Sequence, residues 1–219
     1  NKEGISSYNL SNDELKKIIE RISKLKEYQL KNEIKSVSIL DDRYPILLKQ
    51  INNAPIVLHY KGNLSCLINE KIVSVVGTRY PTDNGIRVAY KTAKYFAEKN
   101  YSVVSGLALG CDTYAHRATV EINKSTIAVM PCGLDTIIPK INSKLADKIL
   151  STNGCIISEY ICGSVVSKYN YVNRNRIQSG LSKAILVVET GEKGGTIETI
   201  KHGLNQKKII GCYDSDEYY

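Results

Sequence analysis

The sequence predicts an α/β fold: an extended Rossmann-like, parallel-rich sheet flanked by helices, with a short helical N-terminal lead-in. Two observations predict it. Short apolar runs recur after residue 70, as "KIVSVVG" (71–77), "YSVVSG" (101–106), "STIAVM" (125–130), "CIIS" (155–158), "AILVVE" (184–189) and "KKIIG" (207–211). Between most of them lie stretches of helical period, such as "NGIRVAYKTAKYFAEKN" (84–100). Apolar strands alternating with helices indicate a parallel sheet covered on both faces, with right-handed crossovers.

Taken in order, residues 1–65 read as the lead-in region and 66–219 as the Rossmann-like domain. "LSNDELKKIIERISKLKEYQL" (10–30) has the pattern of an amphipathic helix. Ser11 can cap it, with Glu14 closing a capping box. Leu15, Ile18, Ile22 and Leu25 fall on one face. "DDRYPILLKQINNAPIVLHYKGN" (41–63) contains two proline breaks and a short strand, "IVLHY". In the sheet that follows, a ligand is expected off the carboxyl ends of the strands, so the turns there matter most.

Three turns carry candidate residues. In "VVGTRYPTDNG" (75–85), Gly77 permits a sharp turn, and Thr78 and Arg79 project from the strand end. An arginine so placed can grip a phosphate with two parallel hydrogen bonds, or simply be solvated. The pattern is not GxGxxG, so a nicotinamide dinucleotide is not expected. In "VVSGLALGCDTYAH" (103–116), Ser105 and Gly106 open a loop that enters a helix near Gly110–Asp112. Exposed amides at a helix start suit an anion, Asp112 reads as a cap, and His116 reads as a packed residue, not a base. In "ETGEKGGTIETIKHG" (189–203), Gly194, Gly195 and Thr196 lead into a helix carrying Glu198. A glycine pair at a helix start is again suited to phosphate.

Composition narrows the partners. The 219 residues carry a net charge of +8. That excess is compatible with a polyanion, and equally with solubility in a lysine-rich chain. The six cysteines form no CxxC pair and the three histidines are scattered, so neither a disulfide framework nor a metal site is expected. Reduced thiols and a cytoplasmic location are expected. No run of about 18 apolar residues and no signal peptide is visible, so no membrane association is expected.

The segment "SKYNYVNRNRIQSGLSK" (167–183) stands out. It holds Lys168, Arg174, Arg176 and Lys183 beside Tyr169 and Tyr171, and no acid lies between Glu159 and Glu189. Asn173 and Asn175 add hydrogen-bonding capacity. Aromatics interleaved with cations provide base stacking and backbone neutralisation, as single strands require. The alternative is that the arginines pair with acids from elsewhere in the fold.

Several motifs together resemble one family. "YPILLKQINNAPIVLHYKGN", "VVGTRYPTDNG", "VVSGLALGCDTYAH", "TIAVMPCGLDTIIPKIN", "ISEY", "NYVNRNRIQSGLSKAILVVET" and "GGTIET" occur in the order seen in the DNA-processing protein A (DprA, or Smf) family, over roughly residues 41–211. The resemblance implies an extended Rossmann fold that binds single-stranded DNA in a basic pocket. It also implies loading of a RecA-type recombinase in natural transformation, action as a homodimer, and no enzymatic activity or cofactor. On matching positions, the implied pocket is Arg79, Ser105, Gly106, Lys168, Tyr171, Arg174 and Arg176. With Asn175, Gly194, Gly195 and Thr196 these form the expected DNA-binding set, in which Arg174 and Arg176 would hold DNA and not the fold. Tyr171 stands where the family usually has Phe, Leu109 where it often has Arg, and Val172 where it usually has Pro. "KGGT" stands where "SG" followed by Ser or Thr is common. No winged-helix segment is read after the sheet, and the N-terminal region is short for a sterile-alpha-like domain. These departures bear on partner loading more than on DNA binding. Dimerisation is expected to use roughly residues 195–219.

Two other readings share the strand-end pocket. One is a nucleotide-sensing module. The other is a nucleotide phosphoribohydrolase, which "EKGGTIET" partly echoes. There Glu198 would be catalytic and Arg79 would bind phosphate, but the "RNRI-x-x-GLS" segment has no role.

Overall fold

The computed structural model describes residues 11–68 and 70–214. The chain forms two compact units, 1–34 and 35–219. In the smaller unit, α1 (Asn12–Lys31) starts at Ser11, whose hydroxyl accepts the Glu14 amide while the Glu14 carboxylate accepts the Ser11 amide and hydroxyl. The expected capping box is therefore formed. Leu15, Ile18 and Ile22 are exposed, and no α1 side chain is buried. Leu10, the first residue of the expected helical segment, lies outside the described residues.

The larger unit runs β1 (Lys35–Ser38), α2 (Ile46–Lys49), β2 (Val57–Gly62), α3 (Ser65–Ile68), β3 (Ile72–Val76), α4 (Asp83–Glu98), β4 (Ser102–Ser105), α5 (Cys111–Glu121), β5 (Thr126–Val129), α6 (Ser143–Ser151), β6 (Cys155–Ser158), α7 (Lys168–Leu181), β7 (Ala184–Val187), α8 (Gly195–Asn205) and β8 (Ile209–Cys212). One eight-stranded sheet takes all the strands in the order β1-β2-β6-β5-β4-β3-β7-β8. The six strands from β3 onward pair in parallel. β2 pairs antiparallel with β6, and β1 antiparallel with β2. A chain boundary near residue 65 is expected from the sequence, but the compact units divide between Ile34 and Lys35. The physical reason is that β2 hydrogen-bonds onto the β6 edge and buries Leu58 and Tyr60 in the main core.

Strand alternation divides that core between two faces. Val73, Val75 and Val103 pack under α4 and α5, against Ala89, Ala93, Ala97, Ala115 and Ala118. Ile72, Val104, Ile127 and Val129 point to the other face, against Ile177 and Leu181 of α7 and Leu48 of α2. Every residue of β3, β4, β5 and β6 is buried. That is why these strands read as unbroken apolar runs and not as alternating ones.

The strand order fixes where a ligand can enter. From β3 the chain moves one way through β4, β5 and β6, and then returns to place β7 on the opposite side of β3. The connections leaving β3 and β7 therefore diverge, and a crevice opens beyond their carboxyl ends. No described helix is long and apolar enough to cross a membrane.

Candidate functional site

A groove of about 630 Å³ occupies that crevice. One wall is the turn after β3, from Val76 to Tyr80. The opposite wall is the loop after β7 (Thr190, Gly191, Lys193) with the start of α8. The floor comes from Ala108 and Asp112 beyond β4, and from Arg174, Asn175 and Gln178 on α7, with Tyr171 about one turn and Lys168 about two turns nearer its start.

Each wall is built by local chemistry. The Thr78 amide donates to the Glu189 carbonyl at 2.8 Å, tying the two diverging strand ends together. The Glu189 carboxylate then accepts the amide and hydroxyl of Thr82, the residue that caps α4. This acid beside the groove is thus spent on a helix start. Arg79 is exposed, and its guanidinium lies 5.4 Å from the centroid of the Tyr171 ring. A cation over an aromatic face holds both in place without neutralising the charge. α8 begins at Gly194 with φ +130° and ψ −174°, a conformation open essentially to glycine alone, and no side chain caps it. Its first amides are left to an outside acceptor, and the helix dipole favours an anion there. The Asn175 side-chain amide donates to the Gly195 carbonyl at 3.0 Å, fixing that helix start to α7.

Beneath the rim is a desolvated pair. Arg174 and Asp112 are both buried. Burial pushes the Asp112 carboxyl up against the pull of Arg174, and burial lowers the Arg174 guanidinium against the pull of Asp112. Arg174 donates to the Val129 carbonyl, and its Nε has no partner among the described residues. The Asp112 carboxylate accepts the Gly106 amide at 3.0 Å. A Cβ at Gly106 would run into the Arg174 guanidinium, so a side chain there would displace that arginine.

Of the expected site residues, the fold brings Arg79, Lys168, Tyr171, Arg174, Asn175, Gly194, Gly195 and Thr196 around one groove. Three need correction. Ser105 is fully buried and its hydroxyl donates to the Val75 carbonyl, so it is part of the sheet. The Gly106 amide is taken by Asp112, so it supports the floor without facing the groove. Arg176 does not line the groove. It turns the other way, making a bidentate pair with Glu159 at 2.7 and 2.6 Å and donating to the carbonyls of Asn53 and Asn173. Asn173 also donates to Glu159. Part of the charge that looks uncompensated in sequence is therefore compensated in space, Arg176 by Glu159 and Lys183 by Glu70 at 3.0 Å.

The lining residues that escape the sequence reading include Tyr80, Asp112 as a floor group, Lys193 and Gln178. Tyr80 had a usable signal, an aromatic directly after the strand-end arginine, and it stands 86% exposed. Glu198 is absent from the lining and pairs with Lys201 at 2.7 Å. His116 is fully buried against the Thr126 hydroxyl, and burial lowers it to about 3. Among the described residues no His, Cys, Asp and Glu cluster could hold a metal ion.

The groove combines four cations with one buried acid, an aromatic face and an uncapped helix start. Against known proteins, residues 35–218 match the sequence model of DNA recombination-mediator protein A. The chain belongs to this family. It is 41% identical over 181 residues to the protein Smf of Synechocystis, covering 81% of this chain and 45% of that one. The solved structure of DNA processing protein A from Streptococcus pneumoniae superposes with a TM-score of 0.78 at 35% identity, over 91% of this chain and 71% of that one. A Helicobacter pylori DNA processing protein A, whose structure describes a single-stranded DNA binding mode, superposes with a TM-score of 0.75 at 25% identity. That match covers 84% of this chain and 82% of the other. The chain thus spans less than half the length of its Synechocystis relative. Both superpositions carry the Rossmann-like α/β fold expected from the sequence.

Proposed function

We propose that the chain binds single-stranded DNA, as a DNA-processing protein, by seating the phosphate backbone in the groove at the ends of β3 and β7. The observation that carries this reading is the composition of that groove. Arg79, Lys168, Lys193 and Arg174 face it, the bare amides of α8 open on it, and Tyr171 and Tyr80 line it. The cations and the helix start suit phosphates, and the tyrosines suit unstacked bases. The Helicobacter pylori relative supports the choice of ligand. The pairing of Glu198 with Lys201, away from the groove, favours binding over hydrolysis of a glycosidic bond. The homodimer and the RecA-type partner rest on the family resemblance.

Titration of a labelled oligo-dT at several salt concentrations tests the reading. Log K is expected to fall linearly with log salt, by about 0.7 for each neutralised phosphate on a single strand. Tyr171→Ala is expected to cost about 1–3 kcal/mol of affinity, the range for one stacked base. Arg79→Ala is expected to lower both the affinity and the salt slope. Absence of binding at low salt sinks the proposal. A mononucleotide that competes as well as the strand would make a nucleotide the ligand instead.

A further inference from the structure

A second basic cleft lies on the outer surface of the α4–α5 pair, apart from the groove. It measures about 450 Å³ and is lined by Ile86, Arg87, Tyr90, Lys91, Lys94, Tyr114, Arg117 and Glu121. The spacing explains the lining. On α4, Arg87, Lys91 and Lys94 recur at four and three residues, and on α5 Tyr114, Arg117 and Glu121 recur at three and four. Each set forms one stripe along its helix. The small residues Ala89, Ala93, Ala115 and Ala118 face inward and let the helices pack closely, which brings the two stripes together.

The charges in this cleft are largely uncommitted. Lys91 has no partner among the described residues. Arg87 donates only to the Asn84 side chain, and Arg117 stands over the Tyr114 ring at 5.5 Å. Lys94 lies 3.9 Å from Glu98, at the limit of an ion pair. The single acid, Glu121, is the last residue of α5 and accepts the Tyr90 hydroxyl at 2.6 Å. The four cations thus line the cleft with one acid, which is already hydrogen-bonded, and only Lys94 reaches another, Glu98. This matches the chemistry of the groove, cations with tyrosines between them.

The cleft is also continuous in the chain with the groove rim. Tyr80 lines the groove, Thr82 caps α4, and Arg87 is the fifth residue of that helix. From Arg87 to Lys94 the α4 stripe extends about 10 Å along the helix axis. We propose that the α4–α5 cleft is a second contact for the phosphate backbone, taken by the part of a single strand that leaves the groove past Tyr80. The proposal rests on the groove binding single strands, and it assigns Arg87, Lys91, Lys94 and Arg117 to a longer footprint than the groove alone provides.

The test compares oligo-dT of about 6 nucleotides, within the footprint of one binding groove, with oligo-dT of about 30 nucleotides. Lys91→Glu combined with Arg117→Glu is expected to leave the short strand bound within twofold of wild type. The same variant is expected to weaken the long strand at least tenfold and to lower its salt slope by about 1.4, the share of two phosphates. Lys144→Glu with Lys148→Glu, on exposed positions of α6, changes the net charge equally and is expected to leave the length dependence intact. An unchanged long-strand affinity overturns the proposal. Equal losses on both lengths, or the same loss from the α6 variant, also overturn it, since the charges would then act through the overall field. A wild-type chain that binds neither length overturns the groove reading itself, and this inference with it.

Discussion

Arg174 and Arg176 are two residues apart, and the fold uses them differently. Arg174 faces the groove floor beside Asp112, while Arg176 is locked to Glu159 with side-chain exposures of 7% and 14%. Removing one member of a buried pair leaves the other charge unmatched, at a cost of about 3–5 kcal/mol. Arg176→Ala is therefore expected to lower the urea midpoint strongly. Arg176→Met combined with Glu159→Leu is expected to recover most of the loss, because no charge is then stranded. A single variant as stable as wild type would refute the assignment. The sequence could not separate the two arginines. Their neighbours are alike, and Glu159 lies on the segment after β6, 17 positions earlier. Only the packing of α7 beside that segment brings it near. Arg79 and Tyr171 were legible because both follow from local rules: a strand-end turn projects its arginine, and a helix start presents its aromatic.

At the scale of elements, α8 depends on its entry. Gly194 holds a φ of +130°, and a Cβ there would meet no atom within 4 Å. Gly194→Ala is thus expected to act through backbone strain, on the order of 1–3 kcal/mol, and not through a clash. The loop is exposed and can relax, which would turn the first amides of α8 away from the groove. The expected result is weaker strand binding with a thermal midpoint close to wild type, read by titration and calorimetry on the same preparation. An unchanged affinity would remove the helix start from the site. β3 to β6 are legible as elements because both of their faces are buried and their residues read as near-continuous apolar runs. β1 is not. It has four residues and only Val37 fully buried, so it carries too few apolar positions to show a period. "IVLHY" reads as a strand, but its place on the β6 edge depends on pairing across about 95 residues, which no local pattern encodes.

For the whole molecule, the buried histidine makes stability depend on acidity. His116 is held at about 3, against an ordinary value of 6.5. Between these values the unfolded chain binds a proton that the folded chain does not, so stability falls as pH drops from about 6.5 toward 3. The slope approaches 1.4 kcal/mol per pH unit, about one proton's worth. Burial lowers His59 and His202 as well, adding in the same direction, while the raised Asp112 opposes it. His116→Gln is expected to flatten the pH dependence of urea unfolding between pH 6.5 and 5, and an unaltered slope would show that the residue titrates normally. The overall architecture was legible in the order of strands and helices. The groove's position followed from the connection that returns to β7, a property of the complete chain order.

One feature of α7 reaches beyond this molecule. The helix presents Tyr171, Arg174, Asn175 and Gln178 to the groove, while Arg176, Ile177 and Leu181 secure the sheet and its edge. Groove lining and scaffold are written on the same fourteen residues. A change on the interior side of that helix alters both at once, whereas Arg79, Tyr80, Lys168 and Lys193 stand at the rim with few internal duties. If the groove binds as proposed, substitutions at those four positions are expected to change ligand preference at the least cost to the fold. They form the adjustable part of an otherwise fixed instrument.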